Sequence, residues 1–148
     1  MFRKLIATSP TWITLPLRIA LGAVFIGHGA QKVLGTFGGP GFNAFTSGQT
    51  PFSFMRPTWF WLGAAAISEL VGGLFVLLGL FTRVGAFFIA CTMLTAVVGV
   101  HLPAGFFLPR GYEYAFTLLA ISLAMLISGG GALSVDHALQ GSGGRRSR

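Results

Sequence analysis

The chain is short of charge, shorter of acid and almost free of cysteine. Of its 148 residues, 9% are charged, three are acidic and 53% are hydrophobic, and the mean hydropathy is +0.77. Soluble domains carry roughly 25% charged residues, so water is not the main solvent of this protein. The single cysteine, Cys91, excludes an intramolecular disulfide and a CxxC relay; lying inside an apolar run, it reads as inert packing. Ten basic residues give a net charge of +7, which raises the question of nucleic acid. They sit at the edges of apolar runs and form no patch interleaved with aromatics, so no nucleic-acid partner is expected.

What the chain does have is four long apolar runs, at about Trp12–Leu34, Trp59–Phe81, Val84–Leu102 and Tyr114–Ser128. Crossing the hydrocarbon core takes about 20 mostly apolar residues. Unpaired backbone groups are costly in lipid and the runs are too long for barrel strands, so each is predicted to be a helix. The predicted fold is all-α, an integral membrane four-helix bundle forming one domain over residues 1–138, followed by a flexible basic tail over 139–148. The first run follows Arg3 and Lys4 but exceeds a signal h-region and no small-residue cleavage site follows it, so it reads as a retained helix.

Loop charge sets the expected orientation. Arg3, Lys4, Arg18, Arg83, Arg145, Arg146 and Arg148 fall on one side, against Lys32, Arg56 and Arg110 on the other, which puts both termini in the cytoplasm. Small residues four apart (Ala23 and Gly27, Ser68 and Gly72, Ala86 and Ala90, Thr95 and Gly99) suit close helix packing. No internal repeat is evident. The connection 35–57 is rich in glycine and phenylalanine; on the outer side it would lie in the membrane interface or fold over the mouth of the bundle, with a helical turn beginning near Pro40.

The few polar residues at membrane depth are the candidate site, because an ionisable group there is costly and therefore suspect. Glu69 lies ten residues past Trp59, ~15 Å inside its helix. It must face the interior with a partner or be protonated, and His28 is the nearest candidate by depth. Gln31 and Lys32 share the face of His28, being three and four residues beyond it. His101 ends the third helix and Glu113 opens the fourth, so all six can point into one outward-facing cavity. Two histidines alone, or with Glu113, are too little for a haem or metal site, and hydrogen bonds to loop carbonyls are their expected fate. Lys32, Arg56 and Arg110 are placed to snorkel. On the opposite side, Arg83 and Asp136 can form a structural ion pair.

Several segments together resemble the DoxX family of small bacterial membrane proteins. They are His28-Gly29-Ala30-Gln31-Lys32-Val33-Leu34-Gly35, Glu69-Leu70-Val71-Gly72-Gly73, Gly79-Leu80-Phe81-Thr82-Arg83, His101, Gly105-Phe106-Phe107, Gly111-Tyr112-Glu113-Tyr114, and Ser134 with Asp136. The chain departs in having Val33-Leu34 where the family commonly has Leu-Phe, and Gly130 where a proline is common. The resemblance implies four transmembrane helices in a bacterial inner membrane and an association with membrane redox chemistry, since the family is named after a subunit of a quinone-linked oxidoreductase acting on thiosulfate. It marks His28, Gln31, Lys32, Glu69, Arg83, His101 and Glu113 as candidate site residues, without an established role for any.

Three functions are compatible with this reading. The first is a quinone-binding redox component, with His28 and Gln31 bonding a ring carbonyl and Glu69 handling protons; it would need a redox partner, since no cofactor is assured and no cysteine pair exists. The second is a non-catalytic accessory subunit of a larger respiratory or photosynthetic complex. A small transporter ranks last, because four helices are few and no paired broken-helix signal stands out.

Overall fold

A computed structural model describes residues 5–144; Arg3, Lys4, Arg145, Arg146 and Arg148, which enter the loop-charge comparison, lie outside the described residues. Among the described residues six α-helices, long and short, follow one another: α1 (Thr14–Leu34), α2 (Gly41–Thr46), α3 (Thr58–Leu78), α4 (Thr82–Ala96), α5 (Glu113–Ser128) and α6 (Val135–Gly144). No strand occurs among the described residues. A π-helical turn, Val97–His101, and a 3-10 turn, Leu102–Ala104, prolong α4. Two stretches, Thr58–Leu78 and Thr82–Ala104, are long and apolar enough to cross a membrane, with mean hydropathies of 1.9 and 2.0. Of the four predicted spans these two meet that test; α1 is interrupted by Arg18, His28, Gln31 and Lys32, and α5 has 16 residues.

Helix α1 packs along α3, α3 on α4, α4 on α5, and α1 touches α5. The core between them is built by Leu21, Phe25, Val76, Ala86, Ile89, Met93, Leu118 and Met125. The α1–α3 seam is set by glycines. A Cβ on Gly22 would fall 2.7 Å from the Leu77 side chain, one on Gly29 2.4 Å from the Leu70 backbone, and one on Gly73 2.9 Å from the Ile26 backbone. These contacts share one antiparallel register and fix which residues of the two helices stand level. The expected pair Ala23 and Gly27 has no part in it: Ala23 is exposed and Gly27 has open space around its α-carbon. The helical period turns those two away from the stripe that carries residues 22, 25 and 29. Gly72 does pack closely, against Gly85 and Ile89 of α4.

The ends of the helices are chemically unlike. At the end holding the 35–57 connection, called here the loop end, α2 folds back onto α1 and α3, and Gly99 meets Pro51 and Phe52. At the opposite, termini end, α3 stops at Gly79, whose φ of 66° and the bond from the Leu80 N–H to the Phe75 carbonyl make a Schellman-type close. Ser134 Oγ accepts the His137 N–H at 3.1 Å, a side-chain cap that starts α6. Because of that cap, the tail expected to be flexible from residue 139 begins inside a helix. Gln140 Nε2 donates to the Ile6 carbonyl at 2.8 Å, tying this helix to the start of the described chain.

Candidate functional site

The α1–α3 register brings Glu69 against the last turns of α1, since its neighbour Leu70 faces Gly29. Glu69 is 2% exposed. Its partner is Lys32, whose Nζ lies 2.5 Å from both carboxylate oxygens, the one ion pair among the described residues. This corrects two expectations. His28 makes no bond to Glu69, and Lys32 does not snorkel outward: from about half a turn nearer the loop end than the acid, its four-carbon stem carries the ammonium back to it. Lys32 keeps a quarter of its side chain accessible and also stands 5.3 Å from the ring centroid of Phe45 on α2. One ammonium thus links α1, α3 and the folded-back connection.

Beside the pair lies a cavity of about 440 Å³, walled by all four long helices and roofed by Phe45, Gln49 and Pro51. His28, Lys32, Glu69, His101 and Tyr114 contribute polar atoms; Phe25, Leu62, Met93, Val100 and Leu118 make most of the remaining wall. An apolar chamber of this size with a few convergent polar groups is the usual form of a small-molecule site. His101 donates Nδ1–H to the Arg110 carbonyl at 3.0 Å, the loop-carbonyl bond expected of it. Its ring is thereby oriented, and the other nitrogen, without a proton, is left as an acceptor.

Two of the six residues stand elsewhere. Gln31 lines a neighbouring space of about 310 Å³, shared with His28 and Tyr114, and its Nε2 reaches the Phe37 carbonyl at 3.4 Å. Glu113 accepts the Leu108 N–H at 2.8 Å and holds the connection before α5. It belongs to that loop, not to the cavity wall.

At the termini end the expected Arg83–Asp136 pair does not form. Asp136 accepts the Phe81 and Thr82 N–H groups at 2.8 and 2.9 Å and the Thr82 hydroxyl at 2.8 Å, capping the start of α4 from a distant segment. Arg83 donates to the Ala7 and Leu126 carbonyls, both at 2.9 Å. Each group meets an unpaired end of backbone before it meets the other. The residue the sequence reading missed is Arg18. Counted there as an edge charge, it is 3% exposed and donates to the Val76, Leu77, Gly130 and Leu133 carbonyls. Its place four residues inside an apolar helix was the signal available.

The chain is similar to known proteins. The DoxX family profile matches residues 13–102, the stretch holding His28, Lys32, Glu69 and His101. A protein of Bacillus subtilis (strain 168) bearing the name "Putative oxidoreductase CatD" is 38% identical over 112 residues, which cover 76% of this chain and 77% of that one. No solved structure matches.

Proposed function

The chain belongs to the DoxX family, and from that premise we propose that it binds a quinone or quinol ring in the cavity beside Lys32 and Glu69, as the membrane component of a redox system. The observation that carries this reading is the buried Glu69, held by a partly accessible ammonium at the wall of an apolar chamber. The chamber fits a flat ring by size and by lining. Lys32 offers a donor to a ring carbonyl, and Glu69 and the unprotonated nitrogen of His101 offer acceptors to ring hydroxyls. Oxidation of a hydroquinone to a quinone frees two protons and two electrons. One hydroxyl proton passes to the Glu69 carboxylate as Lys32 pairs with the oxyanion left on the ring, and the second passes to Nε2 of His101, the ring nitrogen that carries no proton. The electrons pass to a redox partner subunit.

In this reading α1 and α5 cross the membrane with the two more apolar stretches, as a four-helix bundle whose termini face the cytoplasm of a bacterial inner membrane. The loop-charge bias, seven basic residues against three, supports that orientation. Organic extraction of natively purified protein followed by mass spectrometry tests the ligand. Stoichiometric quinone is expected in the wild type and not in Glu69→Gln. Its absence from both, with the protein folded, would replace this reading by that of a non-catalytic accessory subunit. One observation favours that second reading: Phe37, Phe54 and Phe107 stand 79%, 74% and 77% exposed at the loop end, a surface suited to a neighbouring subunit or to headgroups.

A further inference from the structure

A second cavity, of about 450 Å³, lies between α3 and α4 and is lined almost wholly by apolar atoms. It stands back to back with the first. Pro51, Leu62, Ala65, Thr92 and Thr95 line both, so only side chains part the two spaces, and three of those are small. The two threonines are less polar than their names suggest. Thr92 Oγ1 donates to the Phe88 carbonyl and Thr95 Oγ1 to the Cys91 carbonyl, each at 3.0 Å, so their hydroxyls are committed to their own helix.

The far wall of this cleft is open. Phe60, Phe87, Phe88 and Cys91 line it and are exposed. It lies between the two stretches that are apolar enough to cross a membrane, which in a bilayer would turn its mouth to lipid. Cys91, expected to be inert packing, is thus an accessible side chain at that mouth.

Resting on the quinone reading above, we propose that the α3–α4 cleft holds the hydrocarbon tail of the ligand whose ring sits at Lys32 and Glu69. The tail passes between Ala65 and the two threonines and leaves the protein beside Cys91. Continuity with the ring chamber, a lining that is mostly apolar and a mouth on the lipid side select this occupant: a long-chain quinone is a polar ring that cannot leave its chain in water, and here the chain never meets water.

The test uses the fact that Cys91 is the chain's one cysteine. Full-length protein in lipid nanodiscs is labelled with a membrane-permeable maleimide, and the rate of Cys91 modification is followed by mass spectrometry. The probes are a tetrasubstituted benzoquinone bearing a decyl chain and its counterpart with methyl in place of decyl; neither has a ring position open to thiol addition. The decyl compound should slow labelling by about tenfold and the methyl compound by less than about twofold, as expected if only the chain covers the thiol. In Glu69→Gln, which lacks the ring anchor, protection by the decyl compound should disappear. Decyl quinone that co-purifies with the protein yet leaves the labelling rate unchanged would overturn the tail assignment and leave ring binding intact. Equal protection in wild type and Glu69→Gln would also overturn it, since the cleft would then take any lipid chain. Failure of both compounds to co-purify would instead strike the quinone reading, and the tail assignment with it.

Discussion

The protein buries charge at both ends of its helices, and the two burials are built for different work. At the termini end, Arg18 uses four of the five N–H donors of a guanidinium on four backbone carbonyls, and Asp136 takes three donors from the start of α4. Little capacity is left over. At the loop end, Glu69 has one partner, Lys32, and a carboxylate can accept more; beside it lies open apolar space. A saturated network holds backbone segments together. An unsaturated pair at a cavity wall is free to take a ligand.

The largest effect separating the ends should come from Arg18→Met. It removes the guanidinium from four carbonyls; Gly130 keeps the Thr14 hydroxyl and Val76 the Gly79 N–H, while those of Leu77 and Leu133 lose their donor. Two unsatisfied carbonyls at about 1–3 kcal/mol each, with the two other bonds to the guanidinium lost as well, give an expected loss of ~3 kcal/mol or more, seen as aggregation or a sharply lowered Tm in detergent. A melting curve matching the wild type would show that the termini end is not the structural anchor. Asp136→Ala should cost less, about 2 kcal/mol, because it uncaps only the first turn of α4; Asp136→Asn, which keeps one acceptor oxygen, should recover part of that. Equal losses in the two variants would mean that the negative charge, not the acceptor geometry, matters there.

How much of this could be read in advance differs between the same two ends. Glu69 was legible because a lone acid in the middle of an apolar run has few structural excuses. Its partner was not, since ranking candidates by depth favoured His28 and ignored how far back a lysine stem can reach. The four helical segments were legible to within a few residues; what was not legible is that the third, within its expected bounds, winds as a π-helical turn from Val97 to His101. Arg18 was illegible for a physical reason: two of its acceptors, Gly130 and Leu133, lie 112 and 115 positions along the chain, in a glycine turn whose carbonyls are free only because of the fold. Arg83 and Asp136 look like a pair because opposite charges invite pairing. Unsatisfied backbone at helix ends competes for the same side chains, and here it wins.

The smallest effect on stability is expected where the charge is most conspicuous. Removing Lys32 alone leaves Glu69 buried without its cation, and removing Glu69 alone leaves the ammonium without its anchor, so each single change mixes function with strain. Replacing both, Lys32→Met with Glu69→Leu, removes the pair and its desolvation cost together. Buried ion pairs exchanged for apolar residues of similar volume are often neutral or stabilising, so the doubly substituted protein should melt within about 1 kcal/mol of the wild type, or above it, while retaining no quinone. The comparison between the ends would then be complete, with a termini end that cannot be altered without unfolding and a loop end that can be altered without structural cost but not without loss of the ligand. A large destabilisation of the double variant would move Lys32 and Glu69 to the structural side of that comparison and make the register of α1 on α3, not a ligand, the reason for the pair.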